Sequence, residues 1–371
     1  MSERLFNTFT RLCEIPSETG HERDVADWIT AQIRALDLEI EEDDSAERAE
    51  AGSGNLICRI PGRTDEWVSF FAHMDTVPHS KPIEVVLADG VFRSAGETIL
   101  GADNKAAVAV LMELAGRAAA EPPAAGLELV FTVAEEEGLR GARELDVSLL
   151  RAPFGYVFDH ATPIGEIIVA APTYNRVIAE FEGIEAHSGI RPEDGRSAIE
   201  AAAAAVGRMD LGRLDEETTA NVGVIEGGTA SNVVAGHCRL VCEARSLDEE
   251  KVAQVTSAIV DACTWAATEG GCDVDIDIVE LFRRYRIEPN APSLEIAREA
   301  LRACGHEPRE LATGGGSDAN ALILQGYEAL LLANGTEANH THAESVAAAR
   351  LAENVAICEA LAAGVASAGS D

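Results

Sequence analysis

The segment TVAEEEGLRG, residues 132–141, places three glutamates directly after the apolar run LELVFTVA. A short apolar run of this kind is typical of a strand buried in an α/β sheet. Like charges crowded at the end of a buried strand repel one another and lose hydration, unless something neutralises them. In open α/β sheets this end of a strand is also where binding sites lie. The run Glu135, Glu136 and Glu137 therefore predicts a fold that holds positive charge, such as divalent cations, at this strand end.

Strand-like apolar runs alternate with helical segments at both ends of the chain. Strands are predicted at 55–60, 67–75 and 127–134, and helices at 2–14, 21–36 and 102–120. Within IPSETGHE, Thr19 and Glu22 have the spacing of a capping box that would start the second helix. The same texture returns near residue 290, with a helix at 293–304, a strand at 328–335 and a final helix. This alternation predicts an α/β catalytic domain, residues 1–172 and 288–371, with a mixed sheet and helices on both faces.

The intervening residues 173–287 have a different pattern, in which apolar and polar residues alternate as in half-exposed strands. The predicted elements are a strand at 176–183, a helix at 197–209, strands at 220–227 and 237–246, a helix at 248–269 and a strand at 272–281. The order βαββαβ is that of a ferredoxin-like domain. The chain is therefore predicted to carry such a domain as an insertion in its α/β domain.

The charge balance limits the partners of this chain. The formal net charge is −35, from 64 acidic and 29 basic residues, which argues against binding to nucleic acid or to an anionic membrane. No run of 18 uncharged apolar residues predicts a membrane span, and the start of the sequence lacks the pattern of a signal peptide. The eight cysteines are scattered, without a Cys-x-x-Cys pair, and are expected to be reduced and buried. These features together predict a cytoplasmic protein.

Histidines and carboxylates follow several of the predicted strands. In FFAHMD, His73 and Asp75 are two residues apart at a strand end, so both side chains point to the same face. An imidazole and a carboxylate so placed suit a metal ligand and the group that orients it, although an incidental His-x-Asp in a surface loop has the same pattern. Asp103 opens the helix at 102–120, where it is either an N-cap or a carboxylate that bridges two cations.

More such residues follow along the chain. Asp159 comes after another strand in VFDHATPIGEI, and ANHTHAESV contains His340 and His342. Together with the glutamate run they make a set of two histidines and at least three carboxylates. Nitrogen and oxygen ligands without thiolates fit zinc, cobalt or manganese. The sequence therefore predicts a site for divalent cations at one edge of the sheet.

A longer series of motifs gives the chain a specific resemblance. The motifs are IPSETGHE, AHMDTV, LGADNKA, TVAEEEGLRGA, AHSGIRPEDGRSAI, GGTASNVV, EARS, GGGSDAN and HTHAE. In this order they resemble the family of two-metal exopeptidases and amidohydrolases that includes peptidase T, glutamate carboxypeptidase and aminoacylase. TGGGSDAN and VFDHATPIGEI are most similar to the peptidase T branch. A histidine and a proline after Asp159 depart from the glycine-rich stretch expected there.

The resemblance implies a ligand set for two divalent ions, with zinc expected first and cobalt or manganese as alternatives. One ion would be bound by His73 and Asp159, the other by Glu136 and His340, and Asp103 would bridge them. His340 is implied because the family's ligand lies four residues before a glutamate, here Glu344. His342 would then be solvated or would support a ligand.

The resemblance also implies the roles of two neighbouring acids. Asp75 would hold His73 in the correct tautomer. Glu135 would be the general base, which takes a proton from the metal-bridging water and passes it to the leaving amine. Glu137 would have no direct role and would be solvated.

By the same resemblance the inserted domain, residues 173–287, is a lid and dimerisation domain. His187 would reach the active site of the partner subunit and stabilise the oxyanion, although a structural hydrogen bond at a strand end would also explain it. Asn232 and Arg245 would grip the backbone or carboxylate of the substrate, and Arg245 could instead form a structural ion pair. Gly316 and Ser317 lie in a loop whose backbone would approach the substrate.

Three functions remain open on the sequence alone. The first is an aminopeptidase for short peptides, similar to the tripeptidases of the peptidase T branch and acting as a homodimer. The second is a carboxypeptidase or an N-acyl-amino-acid amidohydrolase with the same site. The third is a non-catalytic protein that binds peptide or metal, against which the presence of Glu135 beside the ligands argues.

Overall fold

The alternation of helices and strands predicted from the apolar pattern is confirmed over most of the chain. The computed structural model describes residues 3–369. The helices within these residues are α1 Glu3–Glu14, α2 Arg23–Arg34, α3 Ala102–Ala120, α4 Arg140–Glu144, α5 Ala198–Val206, α6 Glu249–Gly270, α7 Pro292–Ala303, α8 Asp318–Leu324 and α9 Ala348–Ala368. The strands are β1 Ile40–Glu42, β2 Leu56–Ile60, β3 Trp67–His73, β4 Val85–Ala88, β5 Val91–Ser94, β6 Gly126–Thr132, β7 Phe154–His160, β8 Glu166–Ala171, β9 Thr173–Glu182, β10 Gly212–Arg213, β11 Thr218–Gly227, β12 His237–Ser246, β13 Asp273–Phe282, β14 Tyr285–Arg286, β15 Arg309–Ala312, β16 Glu328–Ala333, β17 Thr336–Glu337 and β18 Ser345–Ala347.

Contacts between residues divide the chain into two units. The first comprises the residues up to Val169, then Arg286–Ala312, and the residues from Ser317 onwards. The second comprises Ala170–Tyr285 and the short loop Thr313–Gly316. These limits lie within a few residues of the domains expected from the sequence, except that the expectation placed the loop in the catalytic domain.

A mixed sheet forms the centre of the first unit. Its strand order is β1-β2-β6-β3-β7-β16-β8-β14, with β15 paired to β8. The central strand β3 runs parallel to β6 and β7, and β16 runs parallel to β7, whereas β2 and β8 are antiparallel to their neighbours. All seven residues of β6 are buried, which requires that both faces of the sheet be covered. The predicted α/β architecture with a mixed sheet is confirmed.

The direction of these strands creates the site edge. Because β3, β6 and β7 are parallel, their carboxyl ends meet at the same edge of the sheet. They end at His73, Thr132 and His160. The motifs AHMDTV, TVAEEEG and VFDHATP are therefore brought together by the strand order alone.

The second unit is built on an antiparallel sheet in the order β10-β11-β12-β9-β13. Apart from the two-residue strand β10, the chain order is β9-α5-β11-β12-α6-β13, which confirms the predicted ferredoxin-like domain. Alternate residues of β12 are buried, and they pack with Phe181 and with the alanine-rich helices α5 and α6 in one core. The short side chains of these helices let the backbones come close to the sheet.

Two features of the first unit differ from the sequence predictions. A second, four-stranded sheet in the order β17-β18-β5-β4 was not predicted, because its strands are short and β4 is largely exposed. The predicted capping box is wrong. Helix α2 begins at Arg23 without a side-chain cap, and the Thr19 hydroxyl instead donates to Asp75 Oδ2 at 2.8 Å.

The last helix, α9, is long and apolar enough to cross a membrane by length and composition alone. Half of its most apolar window is buried within the fold, where it packs against α1, α3 and α7. A core helix of a folded domain passes the same test, so this helix is weak evidence for a membrane span.

Candidate metal centre

Five side chains expected as metal ligands lie together at the carboxyl edge of the first unit's sheet. His73 Nε2 is 3.3 Å from Asp103 Oδ1 and 3.5 Å from Asp159 Oδ1. His340 Nε2 is 3.2 Å from Asp103 Oδ2 and 3.0 Å from Glu136 Oε1. Asp103 thus presents one oxygen to each histidine. This is the placement that a carboxylate needs to bridge two cations.

The chemistry of these residues fits divalent cations. The ligand atoms of His73, Asp103 and Glu136 all lie within 4.8 Å of one another, and so do those of His73, Glu135 and Asp159. Imidazole nitrogens with carboxylate oxygens are ligands that zinc, cobalt and manganese share. The cluster therefore fits two ions, with Asp103 placed to bridge them. How the ligands divide between the two ions stays a prediction.

Burial and mutual repulsion shift the pKa values of the acids in the cluster. Burial and then the charge of Asp103 raise the pKa of Asp159 well above its ordinary value. Burial also raises the pKa of Glu136. Hydrogen bonds to Asp103 and then to Glu136 raise the pKa of His340 to about 10. A divalent cation competes with these protons, since it binds the deprotonated carboxylate and the neutral imidazole.

His73 has acceptors on both ring nitrogens. Its Nδ1 lies 3.0 Å from the backbone oxygen of Asp75 and 3.4 Å from the Asp75 carboxylate. A metal ion on Nε2, the nitrogen that faces Asp103 and Asp159, would leave the hydrogen on Nδ1, where Asp75 accepts it. The role expected for Asp75 is thus supported by its main-chain oxygen more closely than by its side chain.

The Asp75 carboxylate makes other contacts. It accepts hydrogen bonds from the backbone N–H groups of Glu135 at 3.0 Å and Glu136 at 3.2 Å, and from the hydroxyl of Thr19. Asp75 therefore fixes the backbone of both glutamates as well as the imidazole of His73. A single buried acid positions three groups of the site.

Glu135 and Glu137 have opposite environments. Glu135 is buried, and burial followed by the charge of Asp159 raises its pKa well above the usual range. A carboxyl group with a raised pKa can accept a proton and return it at neutral pH. Glu137 is exposed and pairs with Arg140 at 3.1 Å, as expected for a residue outside the site.

Two buried residues hold the glutamate loop, although the sequence predicted only a helix cap for Glu22 and no role for Asn55. Glu22 accepts hydrogen bonds from the backbone N–H groups of Gly20, Gly52 and Ala134. Asn55 accepts from Val133 N at 3.2 Å and donates to Gly141 O at 3.0 Å. Glu22 lies inside the IPSETGHE motif. Its partner Ala134 is 112 residues away, and no local sequence pattern indicates that contact.

Asp103 is supported from the end of the chain. The carboxylate of Glu344 accepts hydrogen bonds from the backbone N–H groups of Leu100 and Gly101, each at 2.8 Å, and of Asp103 at 2.9 Å. The amide of Asn339 donates to Asp103 Oδ2 at 2.9 Å. Glu344, whose spacing in the sequence selected His340 as the implied ligand, therefore holds the backbone of the loop that carries Asp103.

A buried lysine supplies positive charge near the buried acids that support the candidate ligands. Lys105 is almost fully buried and its ammonium donates to the hydroxyl of Ser17. Burial lowers its pKa to about 8, while the charges of Asp75, Glu22 and Glu344, among others, act to raise it. The motif LGADNKA predicted a role for Asp103 but none for Lys105.

Asp318 is a further buried acid near the glutamates. Burial raises its pKa to about 6, and the Thr132 hydroxyl donates to its Oδ2 at 2.5 Å. Its charge acts to raise the pKa of Glu135. The preceding Ser317 lies in the loop whose backbone was expected to approach the substrate, and that expectation stays a prediction. Ser317 is fully buried and caps α8 in a capping box with Asn320.

The loop Thr313–Gly316 belongs to the second unit, where Gly316 has a packing role. A Cβ atom there would lie 2.4 Å from the ring of Phe282. The approach of this aromatic ring therefore leaves no room for a side chain at Gly316, and the expectation that the backbone of this loop approaches the substrate stays a prediction. Nη1 of Arg245 donates to Gly314 O at 3.1 Å and so ties this loop to β12.

Arg245 forms the ion pair that was left open as an alternative. Its Nη2 is 3.1 Å from Glu243 Oε2, and its guanidinium stacks on the ring of Tyr174 at 4.0 Å. Its side chain keeps partial exposure. Binding of a substrate carboxylate by Arg245 stays a prediction.

His187 and Asn232 lie on neighbouring segments of the second unit. His187 pairs with Val233 in an isolated bridge, and the Ser188 N–H donates to Asn232 O at 3.1 Å. The backbone N–H of Gly189 donates to His187 Nδ1 at 3.2 Å. Nδ1 is then the acceptor, so Nε2 carries the hydrogen of the neutral ring. Both His187 and Asn232 are exposed.

Imidazole and carboxylate donors around a bridging aspartate, with a buried glutamate beside them, define a hydrolase that works with two divalent ions. A family model described as "Peptidase dimerisation domain" matches residues 174–270, and one described as "Peptidase family M28" matches residues 55–158. The aminopeptidase PepT of Bacillus cereus ATCC 10987 is 38% identical and superposes with a TM-score of 0.84 over 98% of each chain.

Two further relatives agree with this result. A tripeptidase of Staphylococcus aureus subsp. aureus Mu50 is 34% identical, with a TM-score of 0.90 over 98% of each chain. The uncharacterized protein YqjE of Bacillus subtilis strain 168 is 39% identical over 347 residues, which are 93% of each chain. The chain belongs to the M20 family of two-metal peptidases.

Proposed function

We propose that the protein is an aminopeptidase that removes the amino-terminal residue from short peptides, tripeptides in particular. The observation that carries the proposal is the buried carboxyl group of Glu135 within 4.8 Å of the ligand atoms of His73 and Asp159. The likeness over 98% of the chain to proteins named aminopeptidase and tripeptidase supports this substrate class.

Two divalent ions held by His73, Asp103, Glu136, Asp159 and His340 would supply Lewis-acid polarisation and a nucleophile at neutral pH. Glu135 takes a proton from the attacking water and passes it to the leaving amine. Its burial beside His73 and Asp159 places the carboxyl group where both proton transfers would occur. Asp75 keeps the backbone of Glu135 in place through the 3.0 Å hydrogen bond to its N–H.

We propose zinc as the resident metal. Imidazole and carboxylate donors support zinc, and cobalt and manganese accept the same donors. Metal analysis of the purified protein identifies the ion. Reconstitution of a chelator-treated sample with each metal in turn then shows which ions restore turnover.

We also propose that the protein is a homodimer through the second unit, and that His187 serves the partner subunit's site. The match of residues 174–270 to the dimerisation-domain model supports the first part. The Nε2–H of His187, left as a donor by the Gly189 hydrogen bond, supports a role in binding the oxyanion of the tetrahedral intermediate.

A cytoplasmic location completes the proposal. All eight cysteines are free, and six of them are buried. Unpaired thiols in this number suit a reducing compartment. Fractionation of the native host, with the protein followed by an antibody, tests this assignment.

A substrate panel tests the activity. Unmodified tripeptides, dipeptides and N-acyl amino acids are offered to the metal-loaded protein, and the residue released first is identified. Release of the amino-terminal residue from tripeptides is expected. Release from the carboxyl end, or cleavage of acylated amino acids alone, would replace the proposal by a carboxypeptidase or an amidohydrolase.

The Glu135→Gln variant tests the mechanism. It keeps the size and one oxygen of the side chain but cannot take the proton. Turnover is expected to fall by at least about a hundredfold, while the metal content stays as in the wild type. Full activity of this variant would refute the role assigned to Glu135.

A further inference from the structure

A cavity of about 480 Å³ lies in the first unit directly beside the metal centre. His340, one of the proposed ligands, forms part of its wall. Six other polar residues line it: Glu18, His79, Ser80, Glu97, Thr98 and His342. The volume is within the range of small-molecule sites. It is large enough for more than a water cluster, and no step described above uses it.

Glu18 is held firmly at this cavity. Its backbone pairs with Thr76, and the adjacent Thr19 is tied to the Asp75 carboxylate. Oε1 of Glu18 accepts a hydrogen bond from the backbone N–H of His79 at 3.0 Å. Within residues 3–369 no hydrogen bond reaches its Oε2, and the side chain is 37% exposed. The cavity therefore contains a fixed carboxylate with an oxygen available to a ligand.

Thr98 gives an independent indication that the cavity takes a polar group. The residue is only 3% exposed, yet its hydroxyl has no hydrogen-bond partner among the described residues. Buried hydroxyls in folded proteins are almost always satisfied. Since Thr98 lines the cavity, a bound polar group can supply the missing partner.

The charge of the lining favours a cation. Its two carboxylates belong to Glu18 and Glu97, and no lysine or arginine is among the lining residues. Glu97 is 86% exposed and pairs with Lys81 at 3.3 Å. Glu18 Oε1 also lies 3.4 Å from Nδ1 of His79, so Oε2 of Glu18 is the carboxylate oxygen left for a ligand. A carboxylate ligand, such as the carboxyl end of a peptide, would be repelled here.

We infer that this cavity binds the amino-terminal residue of the peptide substrate, with its ammonium group on the carboxylate of Glu18. The inference rests on the proposed aminopeptidase function. In such a substrate the amine is on the carbon bonded to the scissile carbonyl, so it must lie next to the metal centre. A cavity that shares His340 with that centre meets this requirement.

The test compares an unblocked tripeptide with its N-acetylated counterpart on metal-loaded wild type and on Glu18→Gln. The wild type favours the unblocked peptide. The variant keeps Oε1 as an acceptor but loses the charge. Its KM for the unblocked peptide is expected to rise about tenfold to a hundredfold, with kcat changed much less. Turnover of the acetylated peptide should stay as in the wild type, which also shows that the variant is folded.

A matched control removes the same charge nearby. Glu14→Gln changes an exposed residue on α1 that does not line the cavity, and its KM should equal that of the wild type. Binding is measured separately, as the calorimetric affinity of the unblocked tripeptide for Glu135→Gln with and without Glu18→Gln. The double variant should bind more weakly.

The outcomes distinguish a failure of the Glu18 inference from a failure of the proposed aminopeptidase function. If the wild type cleaves tripeptides but Glu18→Gln keeps its KM, the inference is wrong and the aminopeptidase proposal stands. A rise in KM with Glu97→Gln instead, or an equal loss on the acetylated peptide, also overturns the assignment to Glu18. If the wild type releases no amino-terminal residue from any tripeptide, the proposed function itself fails.

Discussion

The carboxylate of Glu344 accepts a hydrogen bond from the backbone N–H of Asp103 at 2.9 Å, across a separation of 241 residues. Its other oxygen accepts from Leu100 and Gly101. One buried acid thus fixes three backbone donors within the four residues that lead up to and include Asp103. The position of Asp103, the proposed bridging ligand, thus depends on a residue that is not itself among the proposed ligands.

Replacement of Glu344 by glutamine should therefore weaken metal binding. The amide has one acceptor oxygen, and its NH₂ group would face a backbone N–H that also needs an acceptor. Loss of such a support typically lowers metal affinity about tenfold to a hundredfold. Competition with a chromogenic chelator measures the affinity.

The control for this variant is Glu337→Gln, because Glu337 is exposed and lies a few residues away on β17. It should bind metal as the wild type does. Equal affinity in both variants would show that the Glu344 carboxylate is dispensable for the site.

A methyl group at Gly141 should damage the glutamate loop. A Cβ atom there would lie 2.1 Å from the backbone oxygen of Val133 and 2.8 Å from Asn55 Oδ1. Both atoms belong to the hydrogen-bonded frame that leads into Glu135 and Glu136. We expect Gly141→Ala to lower the free energy of unfolding by about 1–3 kcal/mol and to reduce kcat. Urea unfolding and tripeptide turnover are the measurements.

Gly207→Ala is the matched control for that change. The nearest atom to a Cβ at Gly207 is at 3.5 Å, an ordinary contact, and the residue has helical φ and ψ at the end of α5. It should be neutral or slightly stabilising. If Gly141→Ala were equally harmless, the loop would be more adaptable than its contacts imply.

The apolar pattern predicted the strands that carry three of the candidate ligand positions. His73 ends a buried strand, Asp159 is the penultimate residue of another, and Glu136 follows a third. Because β3, β6 and β7 are parallel neighbours in the structure, these positions meet at one edge of the sheet. The assignment of these residues as ligands came from the resemblance and stays a prediction.

The supports of the site were not predictable, because their partners are backbone groups far along the chain. Glu22 binds the N–H of Ala134, and Glu344 that of Asp103. Every residue except proline has a backbone N–H, so the sequence does not show which of these groups a distant side chain binds. One local pattern was also misleading, because Thr19 has the spacing of a helix cap but its hydroxyl donates to Asp75.

His187 should matter to catalysis across the dimer. Loss of one oxyanion donor typically costs about 10²–10³ in kcat, so His187→Ala is expected to lose that much with little change in metal content. Mixed dimers of His187→Ala with Glu135→Gln would contain one site with both residues intact. Random mixing of the two inactive proteins should restore up to about a quarter of the wild-type activity by symmetry.

The mixing experiment also has an outcome that would contradict the action of His187 on the partner subunit. If His187 acts only within its own chain, no dimer contains a complete site and the mixture stays inactive. Sedimentation of each variant alone shows first that both form dimers. A monomeric wild type would contradict the proposed assembly directly.

Stability should fall as the pH rises above about 8.5, in part because of Cys58. This thiol on β2 is fully buried, and burial raises its pKa to about 12. In the unfolded chain a cysteine has a pKa of about 8.5. Between these values the folded state keeps a proton that the unfolded state has lost, so the free energy of unfolding decreases with pH by up to about 1.4 kcal/mol per pH unit from this group. Below that range both states are protonated and the thiol contributes no slope.

Urea unfolding between pH 8 and 10 measures the slope, and Cys58→Ala isolates the part due to the thiol. The variant is less stable at every pH because it leaves a cavity. Above pH 8.5 its free energy of unfolding should nonetheless decrease less steeply with pH than that of the wild type, by up to the contribution of one proton. Burial also raises the pKa of Cys242 to about 11 and of Cys263 to about 12, so a residual downward slope should remain. An identical slope in wild type and variant would mean that the Cys58 thiol ionises in the folded protein as freely as in the unfolded chain.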